Sequence, residues 1–541
     1  MLEDNGTREG DNASIGPAIL SKDEALLARL GYKQEFRRNF RPIEVFGVGF
    51  SIIGLVPSLA STFVYALPNG GAAALVWGWT ACAVLLIIIG LAMAELGSAA
   101  PTSGGLYYWT FMFSSPKWRC FLAWIVGYSN SVGNIASVAS VDWGCAVQIM
   151  AAASIGSDLQ FTATTGQTYA LFVALLICHG TICSFDPKII ARLQTPYIIA
   201  NVLLCFALII GLPAATPKEF MNTASYAFGD FENCELSPCL HLYGWPNGYA
   251  FILSFLYPLW SIGAFDSTVH ISEEATNANV AIPFAIILAA TSSSILGWGI
   301  NVAIAFCMGT DVAAVLDSPV GQPMATILFN SFGKKGALAL WSLIIVLQFA
   351  TGTSMLTACS RQIFAFSRDG GLPFSHWLYY VHPRSHTPLH CVWAVVFISL
   401  LLGLLGFAGN VAIGAIFSLV VPISARFLGG KKIKPGPFSL GKLVIFLWLL
   451  VAVVWMVFMV IVFLFPTTPS PTAQDMNYTV VVLGGTLVLA TIYFYFPVYG
   501  GVHWFTGPVT TIDKHDLRPG SESEYTEKKE NMSDEESKGV A

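Results

Sequence analysis

The sequence predicts an all-α, polytopic membrane protein with about twelve transmembrane helices. Apolar residues make up 55% of the 541 residues and charged residues only 11%, whereas soluble domains carry roughly 25% charged residues. Apolar runs of about 15–25 residues recur along the chain, near the length that crosses a hydrocarbon core ~30 Å thick. Most of the chain is therefore expected to lie in lipid.

The apolar runs define the predicted spans in chain order, and the first two are separated only by the tight turn Pro68-Asn69-Gly70. We place spans 1 to 12 at residues 45–67, 71–99, 119–151, 168–185, 190–213, 248–269, 282–308, 336–359, 389–408, 411–425, 443–465 and 479–499. Because the number of spans is even, both termini are expected on the same side of the membrane.

Two of the predicted spans are interrupted. Span 1 contains the stretch 51–58 (Ser-Ile-Ile-Gly-Leu-Val-Pro-Ser), and span 6 carries Pro258, Gly263 and Asp266. Gly and Pro loosen the helical hydrogen-bond ladder, which hydrocarbon tolerates only where protein or water satisfies the freed backbone groups. A carboxylate in a span is costly unless it has a partner or lines a wet cavity. Two broken spans indicate the midplane binding site of a secondary transporter, so the chain is predicted to carry a small solute.

Lysine and arginine are unequally divided between the two sides of the predicted topology. With both tails in the cytoplasm, 24 of the 27 basic residues lie on the cytoplasmic side and 3 on the other. Cytoplasmic loops carry an excess of Lys and Arg, and this excess sets the orientation. The chain is therefore expected to have a cytoplasmic N-terminal tail (1–44), a transmembrane transporter domain (45–499) and a cytoplasmic C-terminal tail (500–541).

Several long motifs resemble those of one known family. The sequence GLAMAELGSAAPTSGGLYYWT at Gly90–Thr110 resembles the signature of the amino acid–polyamine–organocation superfamily. The sequences at Ile262–Ala278, Ser360–Phe374 and Pro422–Lys442 resemble its fungal GABA, choline and polyamine permeases; they read IGAFDSTVHISEEATNA, SRQIFAFSRDGGLPF and PISARFLGGKKIKPGPFSLGK. The resemblance covers residues 35–500 and implies a five-plus-five inverted repeat with spans 1 and 6 broken, followed by two further helices.

The broken spans supply the candidate substrate-binding backbone. In span 1 these residues are Ile53, Gly54 and Leu55, and in span 6 the corresponding position is Gly263. A broken helix exposes the N–H groups of its second half, and such an N-terminus suits an anionic carboxylate. The alternative for both glycines is close helix packing, which is common in membranes.

The polar and aromatic side chains of span 6 suit the amine end of a substrate. Asp266 is expected either to receive an ammonium group or to hold the broken helix together by accepting hydrogen bonds. Tyr257, Trp260 and Phe265 flank it, and an aromatic face within ~6 Å of a cation contributes roughly 0.5–2 kcal/mol. Aromatic side chains also fill membrane cores without any binding role, so both interpretations stay open.

A candidate coupling-ion site lies in span 8. Ala350, Thr353 and Ser354 form an Ala-x-x-Thr-Ser pattern that resembles the sodium-coordinating pattern of the wider fold. Hydroxyl and carbonyl oxygens can bind a hard cation, whereas a proton is the commoner driving ion in a fungal plasma membrane. Span 5 contains no lysine that would replace a cation, and the coupling ion is left as H⁺ or Na⁺.

The following ionisable residues also lie within spans: Glu95, Asp142 and His179. Glu95 is expected to form a structural ion pair with a basic residue of a cytoplasmic loop, with a gating role as the alternative. His179 is expected to be a capped or boundary histidine, and a proton relay is the alternative because histidine titrates near neutrality.

Other expectations concern the loops and span 10. Cys234 and Cys239 lie in a polar loop, where they would form a local disulfide if that loop is extracytoplasmic. Asn477 begins an Asn-x-Thr glycosylation sequence on the same predicted side. Span 10 runs only from Val411 to Ala425; at 1.5 Å per residue this covers ~22 Å, so a folded but poorly active protein is expected.

The sequence as a whole predicts a permease for small amino acids or amines, with 4-aminobutyrate-like zwitterions first. Choline or polyamine cations are the second candidate, and a non-transporting nutrient sensor on the same scaffold is the third. No phosphate loop, metal-ligand spacing or nucleophile motif indicates an enzyme. The expected partners are the substrate, the coupling ion and membrane lipid, without cofactor, metal or nucleic acid. The plasma membrane is the expected location, with the vacuolar membrane as the alternative.

Overall fold

The computed structural model describes residues 21–233, 245–404, 420–426, 436–466 and 479–512. Within these residues, eight helices are long and apolar enough to cross a membrane: Pro42–Ala66, Gly71–Ala99, Arg119–Gly156, Thr165–Cys183, Pro187–Ala215, Asn247–Glu274, Ala278–Cys307 and Pro323–Arg368. Three further apolar helices follow at Leu389–Gly403, Lys442–Val462 and Thr479–Phe494. They match predicted spans 1 to 9, 11 and 12, whose numbers are kept below, and confirm an all-α polytopic protein.

Some sequence-based predictions fall outside the described residues. Of predicted span 10, only the end is described, and residues 420–426 are helical. The prediction that this span is short therefore stays a prediction. The disulfide between Cys234 and Cys239 and the glycosylation of Asn477 lie wholly outside the described parts of the chain.

Short elements connect the spans or begin them. Those between spans or at the termini are helices Lys22–Arg29, Leu106–Phe113, Ala224–Gly229, Val312–Leu316 and Ser375–Leu378 and 3₁₀ turns Lys218–Phe220 and Gly501–His503. Span 2 begins with Gly71–Ala73 and a π-helical turn, Ala74–Gly78, before the regular helix Trp79–Ala99. Span 8 contains Gly333 at φ 67°, a non-helical conformation that separates its first turns from the long helix.

Span 1 lies at the centre of the bundle. In the apolar part of span 1, 89% of the residues are buried inside the protein, against 28% for span 5. Spans 2 and 7 pack closely, because Gly297 leaves room for the Trp79 ring and the Trp79 indole donates to the Ser294 carbonyl at 2.9 Å. Span 1 is thus enclosed by helices whose apolar outer surfaces suit lipid.

The two ends of the chain meet on one face, which we call the terminal face. Residues 21–41 and 500–512 lie there, and the Thr511 amide donates to the Gly31 carbonyl at 2.9 Å. The Lys33 amide donates to the Thr511 hydroxyl at 2.8 Å. The described ends of the chain, residues 21–41 and 500–512, therefore lie on the same side of the bundle.

Candidate functional site

The break in span 1 is a single left-handed residue. The first half-helix ends at Ile53, Gly54 has φ 48° and ψ 57°, and the second half-helix begins at Leu55. Only glycine adopts this conformation at little cost. A Cβ at this position would also collide with the Thr351 hydroxyl of span 8. Conformation and close approach both require glycine here, and the predicted break is confirmed.

At this break the backbone carbonyl groups have hydrogen-bond partners, whereas the first backbone N–H groups of the second half-helix have no acceptor within that helix. The Ser51 carbonyl accepts a 2.8 Å hydrogen bond from the Thr351 hydroxyl. The Ile53 carbonyl accepts a 2.6 Å hydrogen bond from the Ser58 hydroxyl. A helix N-terminus leaves its first N–H groups without intrahelical acceptors, and here these belong to Leu55 and the residue after it. The protein therefore closes the carbonyl end of the break and leaves donors at the amide end.

Span 6 is interrupted differently from span 1. It consists of helices Asn247–Leu253 and Leu256–Ile262 and a 3₁₀ helix, Gly263–Glu274. Gly263 has helical φ −62° and ψ −13°, so the expectation of an unwound segment with exposed N–H groups at this glycine is wrong. The tighter 3₁₀ winding changes the direction in which the following side chains point. A Cβ on Gly263 would meet no atom within 4 Å, so this residue borders open space.

Asp266 and its neighbours lie at the start of the 3₁₀ segment. Asp266 is 6% exposed and Phe265 is fully buried, whereas Trp260 and Gly263 are partly exposed. The Asp266 carboxylate lies close to the backbone N–H groups of Asp266 and Ser267. In this conformation the carboxylate therefore faces the backbone of its own helix. Its role as an ammonium partner remains a prediction.

Tyr257 lies between helices, away from open space. Its side chain is fully buried, and its hydroxyl donates to Asn301 Oδ1 in span 7 at 2.7 Å. Its ring packs against the rings of Phe63 at 6.0 Å and Trp79 at 5.5 Å between centroids. The structure therefore places Tyr257 as a link between spans 1, 2, 6 and 7.

The three predicted coupling-ion residues of span 8 contact different neighbours. Ala350 is buried, and the Thr353 hydroxyl donates to the Phe349 carbonyl of its own helix at 3.2 Å. The Ser354 hydroxyl accepts a 3.3 Å hydrogen bond from Gln194 of span 5. The hydroxyl that reaches span 1 belongs to Thr351, so the structure does not bring this set together against the break.

Thr351, Asn301 and Gln194 form hydrogen bonds between spans and were not among the predicted site residues. Each is buried within an apolar span. Gln194 lies between spans 1 and 8, since a Cβ on Gly47 would lie 2.7 Å from the Gln194 Cβ. Polar side chains in lipid-embedded helices usually hydrogen-bond across to other helices, and this is the signal that could have identified them.

Two buried ion pairs link span 8 to the end of span 6 at the terminal face. Arg361 Nε lies 2.7 Å from Glu274 Oε1, and Arg368 Nη1 lies 2.9 Å from Glu273 Oε2. The Arg368 guanidinium also stacks on the Tyr32 ring at 3.8 Å from its centroid. Removing one partner of a buried ion pair is strongly destabilising, because the other charge is left uncompensated. These two pairs therefore hold the terminal face closed.

Asp369, just beyond span 8, completes this closure. Its carboxylate accepts hydrogen bonds from the hydroxyls of Tyr32 at 2.8 Å and Tyr107 at 2.7 Å, and from the Val509 amide at 3.1 Å. Burial raises the pKa of Asp369 to about 6, although Arg368 and these hydrogen bonds oppose the shift. The N-terminal segment, the loop after span 2 and the C-terminal segment all meet at this one carboxylate.

Glu95 and His179 each lie close to an oppositely charged residue. Glu95 Oε1 lies 3.9 Å from Arg426 Nη2, a basic partner that belongs to the helical segment 420–426 rather than to a loop. The His179 side chain is 0% exposed and lies 2.9 Å from Asp142, and its assignment as a capped or boundary histidine stays a prediction. Within the described residues, no group of three or more His, Cys, Asp or Glu side chains could hold a metal ion.

The fold and site define a polytopic membrane transporter built around broken spans 1 and 6. The sequence profile of the amino acid permease family matches residues 43–487, and the chain belongs to this family. It is 38% identical to a GABA-specific permease of Saccharomyces cerevisiae, over 96% of this chain and 90% of the relative.

Two other relatives carry permease names. An uncharacterized amino-acid permease of Schizosaccharomyces pombe is 37% identical, over 91% of this chain and 89% of the relative. Amino-acid permease 2 of Neurospora crassa is 34% identical, over 94% of both chains. The chain is therefore an amino acid transporter in a membrane rather than an enzyme.

Proposed function

We propose that this permease transports small ω-amino acids of the 4-aminobutyrate type. The proposal rests mainly on the hydrogen bonds at the span 1 break. The hydroxyls of Thr351 and Ser58 donate hydrogen bonds to backbone carbonyls on one side of the break. The backbone N–H groups on the other side, beginning at Leu55, are left to bind an anion. Asp266 in span 6 supplies a carboxylate for the ammonium end. The 38% identity to a GABA-specific permease supports the same substrate class.

The alternatives differ from this proposal in chemistry. Choline and polyamines carry no carboxylate, so binding them would leave the span 1 amides without an anionic partner. Burying unpaired polar groups is costly, which favours a zwitterion over a cation. A nutrient sensor would bind the same zwitterion without moving it, and measured uptake separates these two functions.

We further propose an orientation, a domain division and a location. The excess of basic residues favours a cytoplasmic terminal face, with tails at 1–44 and 500–541 around a transporter domain at 45–499. The plasma membrane is the proposed location. Closure of the terminal face by Arg368 and Asp369 is then closure toward the cytoplasm, and the partly exposed Trp260 and Gly263 lie above it.

Uptake of radiolabelled compounds tests the substrate class. Cells lacking their own 4-aminobutyrate uptake would express the chain and receive 4-aminobutyrate, choline, a polyamine and an α-amino acid separately. We expect 4-aminobutyrate to be accumulated and choline and polyamine to be excluded. Accumulation of choline or polyamine alone, or surface expression with no uptake of any compound, would contradict the proposal.

Replacement of the span 6 carboxylate tests its role at the ammonium end. Asp266→Asn should reduce 4-aminobutyrate uptake by about tenfold or more, because a hydrogen bond to a charged group contributes roughly 1.5–3 kcal/mol. Asp158→Asn is the matched control, since Asp158 lies in an exposed surface pair with Lys334. Unchanged uptake in Asp266→Asn at equal surface expression would exclude Asp266 from both binding and support of the site.

A further inference from the structure

An isolated ionisable pair lies between spans 3, 4 and 8. His179 Nδ1 lies 2.9 Å from Asp142 Oδ1, and both side chains are 0% exposed. Among the described residues, neither carboxylate oxygen of Asp142 and neither ring nitrogen of His179 has a hydrogen-bond partner, and the two residues meet only as this close charged contact. Gly352 of span 8 packs directly on the pair, since a Cβ there would lie 2.5 Å from both Asp142 Oδ1 and His179 Cε1.

The immediate surroundings of the pair are apolar. The centroid of the His179 ring lies 4.2 Å from that of the Phe349 ring. In the described part of span 9, the side chains of Trp393 and Val396 pack against Gly180, the residue next to His179. With one proton the pair is neutral overall, whereas it carries charge −1 without that proton and +1 with a second. An uncompensated charge is expensive to bury. The closed arrangement therefore suits a pair whose net charge is zero.

Other titratable groups near the pair do not compete for this proton. Cys145 of span 3 and Cys183 of span 4 lie close enough to interact with Asp142, and Tyr197 of span 5 lies near Cys183. Thiols and phenols are mostly protonated at neutral pH. The Arg361 charge of span 8 is neutralised by Glu274 at 2.7 Å.

The helices that carry the pair also hold both halves of span 1. Next to Gly352, the Thr351 hydroxyl donates to the Ser51 carbonyl of the first half at 2.8 Å. In span 3, Gln148 donates to the Pro57 carbonyl of the second half at 3.1 Å. A change in the spacing of spans 3, 4 and 8 around the pair is therefore transmitted directly to the substrate-binding break.

We propose that the Asp142–His179 pair is the site at which the coupling proton binds, an inference that rests on the proposed transport function. A hydronium ion transfers its proton to the imidazole nitrogen facing Asp142, so that one O–H bond breaks, one N–H bond forms and a water molecule leaves. The neutral pair can then be enclosed by spans 3, 4 and 8. Return of the proton to water on the opposite side leaves a charge of −1, which requires hydration and so favours the separated arrangement of these spans.

Purified full-length protein in liposomes tests this assignment with two transport measurements. The first is exchange of labelled for unlabelled 4-aminobutyrate without any gradient, and the second is accumulation driven by an inward pH gradient. In Asp142→Asn and His179→Gln we expect exchange to persist and accumulation to fall about tenfold or more, a loss of at least ~1.4 kcal/mol of coupling. Variants that still accumulate substrate as the unmodified protein does would overturn the proposal.

Two further variants address folding and specificity. The double variant Asp142→Asn/His179→Gln removes both charges, so it avoids the uncompensated buried charge that can prevent a single variant from folding. It should exchange substrate without responding to the pH gradient. His376→Gln is the control, because His376 is exposed near the terminal face, and it should accumulate substrate normally.

An infrared measurement separates this proposal from the transport function itself. Difference spectra of the purified protein across a pH step should contain carboxylate and imidazole bands that vanish in the double variant. If the unmodified protein exchanges no 4-aminobutyrate yet shows these bands, the proposed substrate is wrong and the proton site stands. If these bands are absent, the proton site is wrong whatever the substrate is.

Discussion

The Thr351 hydroxyl of span 8 lies within hydrogen-bond distance of two carbonyls, Ser51 in span 1 at 2.8 Å and Leu347 in its own helix at 3.0 Å. A hydroxyl has only one hydrogen to donate. If spans 1 and 8 separate, this hydrogen can be donated wholly to Leu347 without leaving an unsatisfied donor. The contact is therefore suited to an interface that opens and closes during transport.

Removing this hydroxyl should slow transport. Thr351→Val keeps the shape of the side chain but leaves the Ser51 carbonyl without its donor, which costs about 1–3 kcal/mol in a buried site. We expect uptake by Thr351→Val at equal surface expression to fall about tenfold. Thr351→Ser keeps the hydroxyl and should retain most of the uptake of the unmodified protein. Thr353→Val is the control, since the Thr353 hydroxyl bonds only within its own helix, and an equal loss there would refute a special role for Thr351.

Gly54→Ala should be more harmful than an alanine at an unconstrained glycine. The left-handed conformation at φ 48° costs a residue with a Cβ about 1–2 kcal/mol, and the added carbon would also displace the Thr351 hydroxyl. Uptake should be nearly abolished. Gly166→Ala is the control because a Cβ there meets no atom within 4 Å. Comparable uptake by both variants would show that the break tolerates rearrangement.

Chemical labelling can determine the orientation. Ser225 and Ser439 are both exposed and lie on opposite sides of the predicted topology. A membrane-impermeant thiol reagent should label Ser225→Cys in intact cells and Ser439→Cys only after permeabilisation. Labelling of Ser439→Cys in intact cells would reverse the proposed orientation of the terminal face.

Acidification should stabilise closure of the terminal face. The pKa of Asp369 is raised to about 6 in the closed face from its ordinary value of 3.8, so closing binds a proton. Below pH ~4, the stabilisation of the closed state by protonation of Asp369 is fully present. This stabilisation is lost as the pH rises through ~6, and the free energy of closing changes by up to about 1.4 kcal/mol per pH unit.

A buried reporter can detect this pH dependence. Ser272 is fully buried in the terminal face, and Ser272→Cys in membrane vesicles should be labelled more slowly as the pH falls from neutral toward the Asp369 pKa. Adding Asp369→Asn should remove that dependence while keeping an acceptor for Val509. A pH dependence that persists in Asp369→Asn belongs to another group.

Two truncations that differ by seven residues test the C-terminal segment. Deleting residues 513–541 keeps the contacts of Val509 and Thr511, whereas deleting 506–541 removes both. We expect faster labelling of Ser272→Cys only in the longer deletion. Equal labelling in both truncations would mean that these contacts do not hold the face closed.

The spans and the break at Gly54 could be predicted because hydropathy, glycine and proline act locally. The rotation of span 8 could not, because each residue turns the helix by about 100° and only packing decides whether Thr351 or Thr353 faces span 1. The 3₁₀ winding after Gly263 depends likewise on tertiary contacts. The pairing of Asp142 with His179 was within reach, since ionisable residues inside spans need partners.

The hydrogen bond from the Thr511 amide to the Gly31 carbonyl affects the order in which parts of the protein fold during synthesis. Gly31 leaves the ribosome early, but its partner is synthesised only after every span has been produced. Tyr32 likewise awaits Asp369 and Val509 before its surroundings are complete. The membrane bundle must therefore be inserted while its terminal face is still unfinished, and this face is assembled last during biogenesis.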